Sequence, residues 1–165
     1  MRHAQSDDLE HSRDFERPLS ARGQQDAAHM RHWFHAHGYH PQNALVSAAE
    51  RTAETYDLLQ VENCPTFLSK ALYLAPATTL LTALKKATGS SVLMTGHNFG
   101  ISDLANRLRK DRSENPEFKI FPPGAIWVAD LPIEDRRALT WGAARSVNFA
   151  SPQDVRTKIS NVAHR

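Results

Sequence analysis

Apolar residues recur along this chain in two rhythms. Short apolar blocks stand at Ala44-Leu45-Val46, Val92-Leu93-Met94 and Ala125-Ile126-Trp127-Val128-Ala129, each bounded by Gly, Pro or polar residues. Blocks of this length predict strands, and the first is short enough to be buried on both faces. Between them, apolar residues return every three or four positions, as amphipathic helices require. Ser20 is a plausible N-cap for a helix carrying Ala27, Met30 and Phe34 and ending at Gly38. Ser47 followed by Glu50 forms a capping-box pattern, opening a second helix through Thr52, Thr55, Leu58 and Leu59. Pro76 starts a third, with Leu80, Leu81 and Leu84 as its stripe and Gly89 beyond it. Ile101, Leu104, Ala105 and Leu108 define a fourth, and Ser151-Pro152 a terminal one with Val155, Ile159 and Val162 on one face. Phe67–Leu74 reads as a strand with an irregular end, and Ala138–Trp141 as a shorter strand. Residues 5–17 and 110–119 read as loops, and Pro122-Pro123-Gly124 as a turn.

Alternating strands and helices predict a layered α/β fold with a mostly parallel sheet. Loops leaving the strands at 44–46 and 91–95 then lie at one sheet edge, which makes Arg51 and His97 neighbours. In such sheets ligands bind at the carboxyl ends of the strands.

Composition changes this picture little. A chain of 165 residues with a net charge of +2 is expected to be one domain, 1–165, with no demand for nucleic acid or an anionic membrane. The lone Cys64 excludes an internal disulfide, and no apolar run approaches the roughly 18 residues of a membrane helix. The N-terminus lacks the apolar core of a signal peptide, so the default location is the cytoplasm. Histidine is in surplus at nine, with His29, His32, His35, His37 and His40 close together. No carboxylate or cysteine stands at ligand spacing beside them, so a solvated helix face is preferred over a metal site.

Three other positions carry chemistry. Arg51 lies in the first turn of its helix, where the dipole disfavours a cation. An anion held jointly by backbone N–H groups and the guanidinium would explain it. Gly96-His97-Asn98 follows a strand and precedes a helix, and Arg2-His3 opens the chain. Phosphoryl transfer through histidine needs such groups: a neutral imidazole to attack phosphorus, guanidinium forks for the charged oxygens, and a second histidine to donate to them. With enough cations around the phosphate, no metal or cofactor is obligatory.

Arg2-His3-Ala4 resembles the Arg-His-Gly/Ala signature of the histidine phosphatase superfamily. Arg17-Pro18-Leu19-Ser20-Ala21-Arg22-Gly23 resembles the stretch that follows it in compact SixA-type phosphohistidine phosphatases. Ser47-Ala48-Ala49-Glu50-Arg51-Thr52-Ala53-Glu54-Thr55 and Gly96-His97-Asn98 resemble the superfamily's later motifs, in the same order. The resemblance implies a three-layer α/β/α sandwich of phosphoglycerate mutase-like type. It implies His3 as nucleophile, with Arg2, Arg51 and His97 gripping the phosphate and Ser6 and Arg17 lining the pocket. Ser47 is kept as a helix cap, and no general acid is assigned. The expected activity is a metal-independent phosphatase acting on a phosphohistidine-bearing protein or a small phosphorylated metabolite. A phosphate-binding regulatory module without turnover is the rival. In the superfamily a central apolar strand carries the first signature. Here only Met1 precedes Arg2, so that strand is expected to be truncated or vestigial, or to continue upstream.

Overall fold

A computed structural model of the chain describes residues 1–8, 13–111 and 115–163. Helix α1 (Ala21–Ala36) begins at Ser20, whose hydroxyl accepts from Gly23 N, and Gly38 leaves it with φ of +68°. Strand β1 (Asn43–Ser47) leads into α2 (Glu50–Leu59). Strand β2 (Thr66–Ser69) is followed by a 3-10 turn at Lys70–Leu72, then by α3 (Ala77–Lys86). Next come β3 (Val92–Thr95), α4 (Gly100–Leu108) and a short α5 (Glu117–Ile120). Strands β4 (Ile126–Asp130) and β5 (Arg145–Ala150) form an antiparallel pair before α6 (Pro152–Ala163).

The parallel sheet runs β2-β1-β3. Its strands alternate, as period-two geometry demands. Ala44 and Val46 of β1, Leu93 of β3 and Ile126 of β4 pack with Met30, Trp33 and Phe34 of α1, Leu59 of α2 and Val155 of α6. Leu45, Met94 and Trp127 pack on the opposite side with Leu80 of α3 and Ile101, Leu104 and Leu108 of α4. Two cores, one on each side of the strands, make the three-layer α/β/α sandwich.

The seam between the two sheets is the N-terminus. On one side Met1 N donates to Met94 O at 2.7 Å, Gly96 N to Met1 O at 3.1 Å and His3 N to Gly96 O at 3.0 Å. On the other, Arg2 N donates to Ala125 O at 3.1 Å and Gly124 N to His3 O at 2.9 Å. Met1–His3 thus bridge the two sheets, bonded along both edges. Neighbouring backbone groups that would otherwise be orphaned are satisfied there.

Three expectations are corrected. Ala138–Trp141 is not a strand: a 3-10 turn at Arg136–Ala138 leads into coil, and Leu139 is buried from it. The strand lies instead at β5, whose exposed Arg145, Ser146 and Val147 hide its apolar signal. The loop expected over 110–119 contains α5, anchored by the buried Phe118; residues 112–114 lie outside the described residues. Ile159 of α6 is half exposed rather than packed, while the side chain of Val162 lies outside the described residues. Ser151 caps α6 as expected, accepting from Asp154 N at 3.2 Å while Asp154 accepts from Ser151 N at 3.0 Å.

Candidate active site

His3, Arg51 and His97 converge where the N-terminal segment, β1 and β3 end. All three are buried, although each is polar. The rings of His3 and His97 lie 5.2 Å apart, centroid to centroid. His3 Nδ1 lies 2.6 Å from Ala4 O. A carbonyl can only accept, so Nδ1 carries the proton and Nε2 keeps its lone pair. Arg51 Nε, a donor, lies 3.3 Å from that Nε2. Burial lowers the His3 pKa to about 3, with the charges of His97, Arg51 and Arg2 pushing the same way and the Ala4 carbonyl opposing them. His3 is therefore a neutral imidazole whose unprotonated Nε2 accepts from the Arg51 guanidinium.

The backbone of this segment is pinned by α2. Ala4 N donates to Thr55 Oγ1 at 3.0 Å, and Thr55 Oγ1 donates to Arg51 O at 2.6 Å. One turn of α2 thus fixes both the residue after His3 and the arginine beside it.

His97 Nε2 lies 2.7 Å from Ser47 Oγ and 3.4 Å from Thr52 Oγ1. Ser47 is consequently not the cap of α2, which the sequence pattern suggests. It is the last residue of β1, the N-cap of α2 is Ala49, and no side chain caps it. The Ser47 hydroxyl orients a histidine instead. Burial lowers the His97 pKa to about 4, with Arg51 and Arg2 adding to the effect and Asp14 opposing it. His97 Nδ1 is buried without a partner among the described residues.

Arg2 donates through Nη1 to Phe121 O at 3.0 Å, while its Nε is buried without a described partner. Asn98 Nδ2 donates to Ile120 O at 2.9 Å, tying the turn after His97 to α5. Arg17 and Ser6 stand one step outward: Arg17 Nη2 donates to Ser6 Oγ at 3.0 Å and Nε to Asp7 O at 2.9 Å.

The residue that sequence reasoning missed is Asp14. Its Oδ2 accepts from Arg51 Nη2 at 3.0 Å and from the Tyr73 hydroxyl, its Oδ1 from Arg17 Nη1 at 2.9 Å, and its main-chain carbonyl from Arg51 Nη1. The Tyr73 hydroxyl first, then Arg17 and Arg51, hold its carboxyl well below the usual range. Tyr73 also sets its ring edge-on to His97 at 5.4 Å. A carboxylate three residues before Arg17 in a polar loop carries no periodic signal, and nothing in the local pattern marks it.

The clustered histidines of α1 disperse. His35 Nε2 bonds Leu59 O at 2.9 Å and His37 Nδ1 bonds Trp33 O at 2.7 Å. Among the described residues no group of three or more His, Cys, Asp or Glu is arranged to hold a metal, and no helix is long and apolar enough to cross a membrane.

A mostly parallel sheet between two helical layers, with polar side chains gathered at its carboxyl edge, defines the chain as an α/β/α protein of the phosphoglycerate mutase-like fold. Solved structures sharing that fold include one named phosphohistidine phosphatase SixA from Nakamurella multipartitia, at a TM-score of 0.81 and 21% identity, covering 92% of this chain and 93% of that one. A second of that name, from Agrobacterium tumefaciens, reaches a TM-score of 0.74 at 23% identity over 92% of this chain and 95% of that one. A third, the protein histidine phosphatase SixA complexed with tungstate, reaches 0.76 at 22% identity over 94% and 96%. No family profile and no curated protein matches the sequence.

Proposed function

We propose that this protein is a phosphohistidine phosphatase, a metal-independent hydrolase acting through a covalent phosphohistidine on His3. The observation that carries the reading is the neutral His3 ring, with Nδ1–H held by Ala4 O and Nε2 unprotonated beside Arg51. A nucleophile toward phosphorus needs that tautomer and that protonation state. The likeness to three structures bearing the SixA name, one of them holding the tetrahedral oxyanion tungstate, supports the same class of substrate.

In the first step His3 Nε2 bonds phosphorus as the P–N bond of the substrate breaks, and the leaving imidazole nitrogen takes up a proton. Arg2, Arg51 and His97 bind the non-bridging oxygens. His97 is neutral in the free site, and the negative charge of a bound phosphoryl group raises its proton affinity so that it can donate. In the second step water attacks phosphorus, the P–Nε2 bond breaks, and inorganic phosphate leaves. An imidazole leaving group needs less protonation than an alkoxide, which suits a site with no assigned acid. Ser6 and Arg17 line the approach.

The chemistry of the rim favours a protein-borne substrate over a small metabolite. Leu74 follows Tyr73, Phe99 lies two residues after His97, and Ile120 ends α5 where its carbonyl accepts from Asn98; all three are exposed, Phe99 at 86%. Apolar groups gathered around a polar site suit a macromolecular surface.

The test is rapid-quench trapping with a 32P-labelled phosphohistidine protein. An acid-labile, base-stable phosphoenzyme should form on the wild type and be absent from His3→Ala. Turnover without any label on His3 would refute the mechanism, and hydrolysis of simple phosphomonoesters as fast as phosphohistidine would refute the substrate class.

A further inference from the structure

We propose that Asp14 is a built-in competitor for the phosphoryl group: its carboxylate lies on the outer fork of Arg51, incoming phosphoryl oxygens must displace it, and it thereby selects against small phosphate anions. The inference rests on the phosphatase reading and extends it to specificity.

Each nitrogen of the Arg51 guanidinium has a partner, which engages three of its five N–H donors. Its Nε meets His3, its Nη1 the Asp14 carbonyl and its Nη2 the Asp14 carboxylate. Its side chain is only 4% exposed, so little guanidinium surface is left for an oxyanion while Asp14 stays in place. A carboxylate in a guanidinium fork occupies the geometry that phosphate oxygens take there. The same carboxylate engages Arg17 Nη1, so its departure releases the outer fork of Arg51 and that one nitrogen of Arg17, whose others stay bonded to Ser6, Asp7 and Asp8. Asp14 can leave without opening a core. It sits on a 3-10 turn, Asp14–Glu16, that contains no buried residue, and its own side chain is 46% exposed. Tyr73 is the latch, donating its hydroxyl to Asp14 while its ring rests on Phe15 and His97.

A tethered carboxylate competes at an effective concentration that a free anion must exceed. A protein substrate can spend binding energy from remote contacts on displacing it; inorganic phosphate has none to spend. The product is disfavoured in the same way. The sign of the effect is diagnostic, because damage to the site weakens anion binding whereas loss of a competitor strengthens it.

The experiment is calorimetric titration of inorganic phosphate and of tungstate into the full chain, comparing wild type, Asp14→Asn and Tyr73→Phe. Asp14→Asn should bind phosphate about tenfold more tightly, equivalent to ~1.4 kcal/mol. Tyr73→Phe should shift affinity the same way by less, and it decides the matter if Asp14→Asn does not fold. In both variants the kcat/KM ratio for a small phosphoramidate over a phosphohistidine protein should rise. Unchanged or weaker phosphate binding in the folded variants overturns the inference, and leaves the phosphatase reading standing if a His3 phosphoenzyme still forms. If no variant binds either anion and no phosphoenzyme forms, both fall.

Discussion

Thr55→Val isolates one bond on which the placement of the His3 segment depends. Valine keeps the volume and branching of threonine but cannot accept the Ala4 N–H, which Thr55 Oγ1 meets at 3.0 Å. Ala4 and Thr55 have no exposed surface, so the orphaned N–H cannot turn to solvent. Leaving a buried donor unmet costs about 1–3 kcal/mol. The substitution also removes the bond from Thr55 Oγ1 to Arg51 O, whose other lone pair remains available to the helix. The expected loss in unfolding free energy is therefore about 1–3 kcal/mol, read as a lower urea midpoint at unchanged slope. Catalysis should fall with it, because Ala4 O sets the His3 tautomer through a 2.6 Å bond. Phosphoenzyme formation under conditions where Thr55→Val is fully folded should be slower, and Thr55→Ser, which retains the hydroxyl, should recover most of the rate. A Thr55→Val midpoint indistinguishable from wild type, with phosphorylation of His3 at the normal rate, would refute the claim that α2 holds the His3 segment.

Two further expectations follow from the geometry. His3 and His97 have folded-state pKa values of about 3 and about 4 against an ordinary value of 6.5, so below pH 6.5 the unfolded chain binds protons that the folded chain refuses. Stability is then fully present above pH 6.5 and falls as pH drops toward those values, with His3 contributing up to ~1.4 kcal/mol per pH unit; urea titrations at several pH values should give a shallower acid limb for His3→Gln, and parallel limbs would refute it. Gly23→Ala should destabilise by about 1–3 kcal/mol in thermal melts, because the added Cβ would stand 2.0 Å from Gln5 O, a backbone atom that cannot swing aside; an unchanged Tm would show that the 5–6 segment gives way freely.

The layers of the fold are legible in the sequence because both cores are written into the strands themselves. Ala44, Val46 and Leu93 face one way and Leu45 and Met94 the other, so the blocks look uniformly apolar. β5 escapes for the opposite reason: its first three residues are exposed, and a half-solvated strand without clean alternation resembles coil. Arg51 and His97 are placed by the rule that strand ends share an edge, and Ser47 joins His97 by the same rule. The cap pattern Ser47-x-x-Glu50 misleads because a hydroxyl at a strand end has a stronger buried partner than a helix N–H. Asp14 is invisible because its role depends on Arg51, 37 residues away, and Tyr73, 59 residues away. Contacts of that range leave no periodic trace.

The bonding of Met1–His3 along both edges has a consequence for how the molecule assembles. The partners of this segment are remote: Met94 stands 93 residues along the chain, and Ala125 lies farther still. Closing loops of that length costs entropy before any bond is gained, so pairings of high sequence separation are slow to form. The β1-β3 ladder and the β4-β5 hairpin are closer in sequence and can form first, each waiting with an open edge. His3 is then seated by the event that zips the two sheets together, and the burial of its ring marks the completion of folding.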